Sequence, residues 1–260
     1  MPVCKVIFRL DFTVNFRMME APGRIFQTFW ETLNLDRAPI KELSERAPRI
    51  LTVHTQTADS DCGVLFNASP TSIDGSFEIA KGIELPDLLE SDPLAPLVKL
   101  ADRLCGEFSI DTISRSGFRL FYFGKLGTCF EDALAAFNSF FRPNHIRSIE
   151  GKLGRISDVA AVWEGADQDG VRYSCRSGPY RSAEARKYFN LIADKIMEAC
   201  DFDMIFDLDL HEYNFSIARR TISNLYRPIL IKANEFIRYY ENELFQRMEE
   251  VDADRKSAKN

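Results

Sequence analysis

Between residues 4 and 16 the even positions read Cys, Val, Phe, Leu, Phe, Val, Phe, and the odd ones Lys, Ile, Arg, Asp, Thr, Asn. A period of two sends successive side chains to opposite sides, so the segment predicts a long strand with one buried face. Pro22 then opens a helical pattern in which Ile25, Phe26, Phe29, Trp30 and Leu33 share one side. Proline is tolerated in a first helical turn because the N–H it lacks would have no intrahelical acceptor. Strands are expected at 49–57 and 62–69 around a polar turn, with a short edge strand at 76–80. Leu94, Leu97, Val98, Ala101, Leu104 and Cys105 mark a second helix. The β-favouring run 108–126 follows, and its polar stretch Ser114-Arg115-Ser116-Gly117 divides it into two strands.

The second half repeats this order. Thr128 and Glu131 have capping-box spacing, in which a hydroxyl and a carboxylate satisfy two orphan N–H groups, and they open a helix to about 141. Strands near 153–163 and 171–177 flank a turn at 166–170; a helix over 182–199, a strand over 202–213 and a long helix over 219–248 complete the series. Written as letters, 3–113 and 117–213 both give βαββαβ. The expected fold is therefore α+β: two ferredoxin-like βαββαβ units in tandem, 1–113 and 114–215, then a C-terminal helix over 216–250 and a flexible tail over 251–260. Pro228 is expected to kink that helix or mark its true start. Its apolar stripe, from Leu225 and Ile229 through Ala233, Phe236, Ile237 and Tyr240 to Leu244, Met248 and Val251, is expected to pack over the sheets. A homo-oligomer seam is the other use for such a stripe.

The chain has 260 residues, 45% hydrophobic and 28% charged. At that length folding buries roughly 70–75% of the unfolded chain's surface, so neither disulfides nor a structural metal is required. Thirty-three Lys+Arg against 39 Asp+Glu give net charge −6, which argues against a protein built to coat nucleic acid or anionic membrane. No apolar run approaches the ~20 residues of a membrane span, and MPVCKVIFRLDF lacks the parts of a secretory signal, so a cytoplasmic location is expected. The six cysteines form no C-x-x-C pair and are read as buried, reduced thiols.

Three constellations carry candidate chemistry. Asp207, Asp209 and His211 alternate along a predicted strand and share one face, with oxygen and imidazole donors suited to Mn²⁺ or Zn²⁺; a solvated face gives the same pattern. Residues 115–190 hold 12 Lys+Arg and 8 Asp+Glu, a net +4 inside an acidic protein. Within them Arg172 and Arg176 share a strand face with Ser174, and Arg181 follows; Arg115 and Arg119 are possible neighbours. Such a face suits phosphate or an acidic partner through forked guanidinium contacts. His145 lies in a loop between Arg142 and Arg147, where it could exchange protons, while His54 reads as structural. No cofactor or nucleophile motif occurs, so no cofactor is expected.

The run Ile-Asp-Thr-Ile-Ser-Arg-Ser-Gly-Phe-Arg-Leu-Phe-Tyr-Phe, which follows the second helix, resembles a segment of a sporadically distributed family of uncharacterised bacterial proteins of similar length. That family's strand has the form R-I-G-L-R-Y-I-N, and Arg115, Gly117 and Arg119 fit it. The segment Phe206-Asp207-Leu208-Asp209-Leu210-His211 is similar to its late Asp-rich strand before a long helix. Ser116, Leu120 and Phe121 depart from the pattern, standing where the family has Ile, Tyr and Ile. The resemblance implies a bacterial, cytoplasmic protein and supplies no catalytic residues. Together these readings point to a non-enzymatic interaction or regulatory protein with a protein partner. RNA binding or processing across paired ferredoxin-like units, and small-molecule sensing between them, are the alternatives.

Overall fold

The computed structural model describes residues 2–33, 40–46, 49–56, 61–91, 94–140, 149–199, 201–216 and 221–257. Among them nine strands form one sheet in the order β2-β3-β4-β5-β1-β6-β9-β8-β7. The strands are β1 (Val3–Phe12), β2 (Ile40–Arg46), β3 (Arg49–Gln56), β4 (Cys62–Ala68), β5 (Ser72–Ile83), β6 (Thr112–Gly124), β7 (Ala161–Ala166), β8 (Arg172–Pro179) and β9 (Met204–Ser216). Every neighbouring pair is antiparallel.

This corrects the expectation of two tandem ferredoxin-like units. Two tandem ferredoxin-like units would form two separate four-stranded sheets, each with a single hairpin between its two helices. Here the chain leaves β1 through helices α1 (Phe16–Glu20) and α2 (Pro22–Leu33), and returns as an antiparallel meander whose last strand, β5, pairs with β1. The same path recurs after β6: α4 (Phe130–Phe140), then β7, β8 and β9, with β9 pairing β6. The two halves meet where β1 and β6 pair, Val6 opposite Leu120, within one continuous sheet.

Four further elements differ from expectation. β5 is a twelve-residue interior strand and not a short edge, and β6 is one thirteen-residue strand through Ser114-Arg115-Ser116-Gly117. The region 182–199 is a helical turn at Ser182–Ala185, a 3-10 turn at Arg186–Tyr188 and a short helix at Ala193–Ala199. At α4 the backbone N–H and the hydroxyl of Thr128 both donate to Asp132, at 3.0 and 2.7 Å, in place of a capping box with Glu131.

One face of the sheet carries the four long helices. α2, α3 (Leu94–Glu107), α4 and the terminal helix (Ile222–Ser257) enclose a core that includes Phe8, Leu10, Phe66, Phe77, Phe118, Leu120 and Phe206. Burying each such side chain contributes roughly 1.5–3 kcal/mol. The terminal helix begins before Pro228 and reaches Ser257, past the expected end at 250. Its stripe is spent on the body as far as Tyr240: Tyr226 is fully buried with its ring 4.0 Å from Phe118, and Tyr240 lies 4.6 Å from Phe206.

The other face is polar, and among the described residues it is covered at one end only. There the segment 180–199 crosses onto β1 and β5 over a second apolar cluster, with Phe189, Ile192 and Ile196 against Phe121, Phe123 and Ile205. Glu78, fully buried on β5, accepts the backbone N–H groups of Asn190, Leu191 and Ile192 at 2.9–3.0 Å. Lys5 neutralises it at 3.0 Å and donates to the Tyr188 carbonyl at 2.7 Å. A carboxylate on one half of the chain thus fastens the strap formed by the other. No described helix is long and apolar enough to cross a membrane.

Candidate functional site

The uncovered part of the polar face is where the sequence's two main candidates meet. Strand parity directs Asp207, Asp209, His211 and Tyr213 of β9 outward, and the sheet order places this row between β6 and β8. Opposite it on β6 stand Arg115, Gly117 and Arg119; opposite it on β8 stand Arg172, Ser174 and Arg176. The acidic strand that offered a candidate metal-ligand pattern therefore runs between the two basic strands.

Its carboxylates are turned to arginine. Arg119 makes a forked pair with Asp207, Nε and Nη2 reaching the two oxygens at 2.8 and 2.7 Å. Arg115 Nη2 reaches Asp209 at 3.3 Å. Each arginine bonds diagonally, since Arg119 is registered opposite Asp209 and Arg115 opposite Tyr213. The bond to Asp207 holds the Arg119 guanidinium more firmly charged than usual, against a smaller opposing effect of burial. His211 Nδ1 lies 3.6 Å from Asp209, beyond hydrogen-bond reach. Burial lowers the pKa of His211; Asp209 opposes this, while Arg115 and Arg172 add to it. With both Asp207 oxygens committed, Asp207, Asp209 and His211 do not converge as ligands. Among the described residues no group of three His, Cys, Asp or Glu side chains is placed to hold a metal.

Gly117 makes this arrangement possible. A Cβ there would stand 2.4 Å from the Leu210 carbonyl oxygen and 2.7 Å from the His211 Cβ, so a larger residue would push β9 away from β6.

The β8 arginines differ from those of β6. Arg172 lies over the Tyr213 ring at 5.1 Å. Arg176 faces Asp207 in register, but Arg119 already occupies that carboxylate. Both β8 guanidinium groups are exposed and neither forms an ion pair with a described residue. Arg181 is not part of this row; its guanidinium lies 4.0 Å over Phe130 and 3.8 Å from Glu184.

Two shallow depressions share Arg119 and Asp209, which stand opposite each other in register. One of about 170 Å³ is lined by Ile7, Arg9, Arg115, Gly117, Phe118, Arg119 and Asp209. The other, about 280 Å³, is lined by Arg119, Val162, Glu164, Ser174, Arg176, Asp207 and Asp209. Both fall below the roughly 300–1,000 Å³ of small-molecule sites. Arg9 and Glu164 were missed as site residues; Arg9 sits at an odd, outward position of the first strand, a signal that gives its face but not its neighbours.

The thiols offer no activated nucleophile among the described residues for which a shift is resolved. Burial pushes Cys105 up to about 12, helped by Asp102 and Asp111, and raises Cys175 well above the ordinary thiol range. His145 lies outside the described residues, as do the side-chain surroundings of His54. No protein-family model and no curated protein matches the chain.

Proposed function

We propose that the protein is a non-enzymatic docking protein that holds an acidic segment of a protein partner on its β8–β9 face. The observation that carries this reading is the unequal state of the arginines: Arg115 and Arg119 are matched by β9 carboxylates, whereas Arg172 and Arg176 project outward without one. An exposed guanidinium with an open fork is suited to bidentate contact with carboxylate. The flatness of the face favours a macromolecular surface over an enclosed small molecule. The RNA reading is supported less well. Among the described residues of the arginine rows Tyr213 is the exposed aromatic ring, and Arg172 already covers it, which leaves little platform for base stacking. With one continuous sheet, the cleft between units on which the RNA and sensor readings relied is absent.

The test is capture of partners from native cells by wild type and by the double variant Arg172→Glu with Arg176→Glu, followed by affinity measurement on the purified pair at two salt concentrations. The expected result is a partner whose affinity falls at least about tenfold in the variant and weakens with salt. Equal retention by both proteins would remove the face from consideration. Salt-sensitive retention of RNA in place of protein, lost in the same variant, would replace the reading with the RNA one.

A further inference from the structure

On the helix-bearing side of the sheet, away from the arginine rows, a concavity of about 510 Å³ lies between the β7–β8 turn, the strands β8 and β9, and the terminal helix. That volume is within the roughly 300–1,000 Å³ typical of small-molecule sites. Leu208, Leu210 and Phe236 supply apolar lining, and Tyr173 and Tyr239 add two further aromatic rings. The Tyr173 and Phe236 rings are 6.0 Å apart, and Tyr239 is exposed.

The charge of the lining selects what could occupy it. Asp167, Asp169 and Glu235 stand against the single ammonium of Lys232, a net charge of −2. Lys232 is bonded to both Asp167 and Asp169, the latter at 2.7 Å, so it is not free to receive an anion. Asp167 is held in turn by the backbone N–H groups of Asp169 and Val171, both at 2.9 Å. Glu235 is exposed, and its carboxylate is not matched by a described cation. Aromatic faces attract cations, and carboxylates beside them add to the attraction.

We infer that this concavity is a binding site for a small organic cation, an aromatic or quaternary amine whose apolar body rests on Leu208 and Phe236 and whose charge is held by the tyrosine rings and Glu235. An anion would have to detach Lys232 against the net negative charge. A neutral hydrocarbon would gain the apolar contacts only.

The experiment is titration of the full chain at low salt with benzyltrimethylammonium, its uncharged carbon isostere neopentylbenzene, and the anion 4-phenylbutyrate, read by chemical-shift changes and calorimetry. The cation is expected to saturate and to bind at least about tenfold more tightly than either analogue. Glu235→Gln, at an exposed position, should weaken it about tenfold, and Lys232→Met, by releasing two carboxylates, should tighten it about tenfold. No saturation by about 10 mM, equal affinity for the isostere, or preference for the anion would overturn the assignment. So would unchanged affinity in both variants. The arginine face plays no part in this site, so Arg172→Glu with Arg176→Glu should leave cation binding unaltered.

Discussion

Asp102 and His211 are partly buried titratable groups whose protonation should affect stability in opposite ways. Asp102, on α3, accepts the Ile222 N–H at the start of the terminal helix at 2.6 Å, while burial raises its pKa more than that bond lowers it. The folded state therefore keeps this proton at pH values where the unfolded chain has lost it, and stability falls as pH rises from the ordinary aspartate range through the raised value. Asp102→Asn keeps an acceptor and removes the charge. It should melt no lower than wild type at pH 8, with a flatter pH dependence in that window, as read by thermal unfolding at several pH values. Asp102→Ala strands the Ile222 N–H and should cost about 1–3 kcal/mol at any pH. His211 works the other way, because burial lowers its pKa. Acidification through the ordinary histidine range protonates the unfolded chain first, so stability should be lost there, and His211→Asn should remove that loss.

Elements are held at points that local patterning does not announce. Pro228 sits inside the terminal helix at an exposed position, where it removes a backbone donor and crowds the carbonyl four residues earlier. Pro228→Ala should raise stability, by up to about 3 kcal/mol, visible as a higher denaturant midpoint. Three residues of that helix anchor it on the sheet from different places: Tyr226 over β1 and β6, Phe236 beside β8 and β9, and Tyr240 against Trp163. Tyr226→Ala should cost about 3–5 kcal/mol, as large-to-small changes of buried aromatics do. The strap over the opposite face depends on Glu78. Glu78→Ala would leave three N–H groups without their acceptor and the buried ammonium of Lys5 without its counter-charge, a cost of about 3–5 kcal/mol. Hydrogen exchange should show residues 188–199 losing protection first, with β4 and β5 retaining theirs; uniform loss across the sheet would contradict a detachable strap.

At the scale of the molecule, the β1–β6 pairing makes the two halves mutually dependent. Each half alone would expose a central strand edge and half of the apolar core. One cooperative transition is expected, with calorimetric and van't Hoff enthalpies equal; two resolved transitions would show that the halves are separable after all. The same continuity defines the binding surfaces. It brings β6, β9 and β8 side by side, so that residues separated by about ninety positions in sequence become the forked Arg119–Asp207 pair.

The sequence by itself determined which way side chains point. Period-two alternation set the outward rows of β8 and β9, with Arg172 and Arg176 on one and Asp207, Asp209 and His211 on the other, and the helical stripe from Leu225 to Tyr240 was legible from its spacing. Strand order was not legible, because pairing depends on contacts between distant segments, and the same order of strand and helix letters fits both two separate sheets and one continuous sheet. Local polarity misled for the same reason. Ser114 to Gly117 reads as a break, yet Ser116 is buried in a continuous strand and Gly117 admits the close approach of β9. Asp-Gly pairs favour turns, yet in β5 Asp74 accepts from Asn67 at 2.7 Å, and a Cβ on Gly75 would stand 2.2 Å from Phe8. Only the tertiary structure decided that the acidic row lies between the basic ones, which turns a candidate metal strand into the counter-charge of Arg115 and Arg119 and leaves Arg172 and Arg176 facing outward, because each strand fixes its own faces but only the sheet chooses their neighbours.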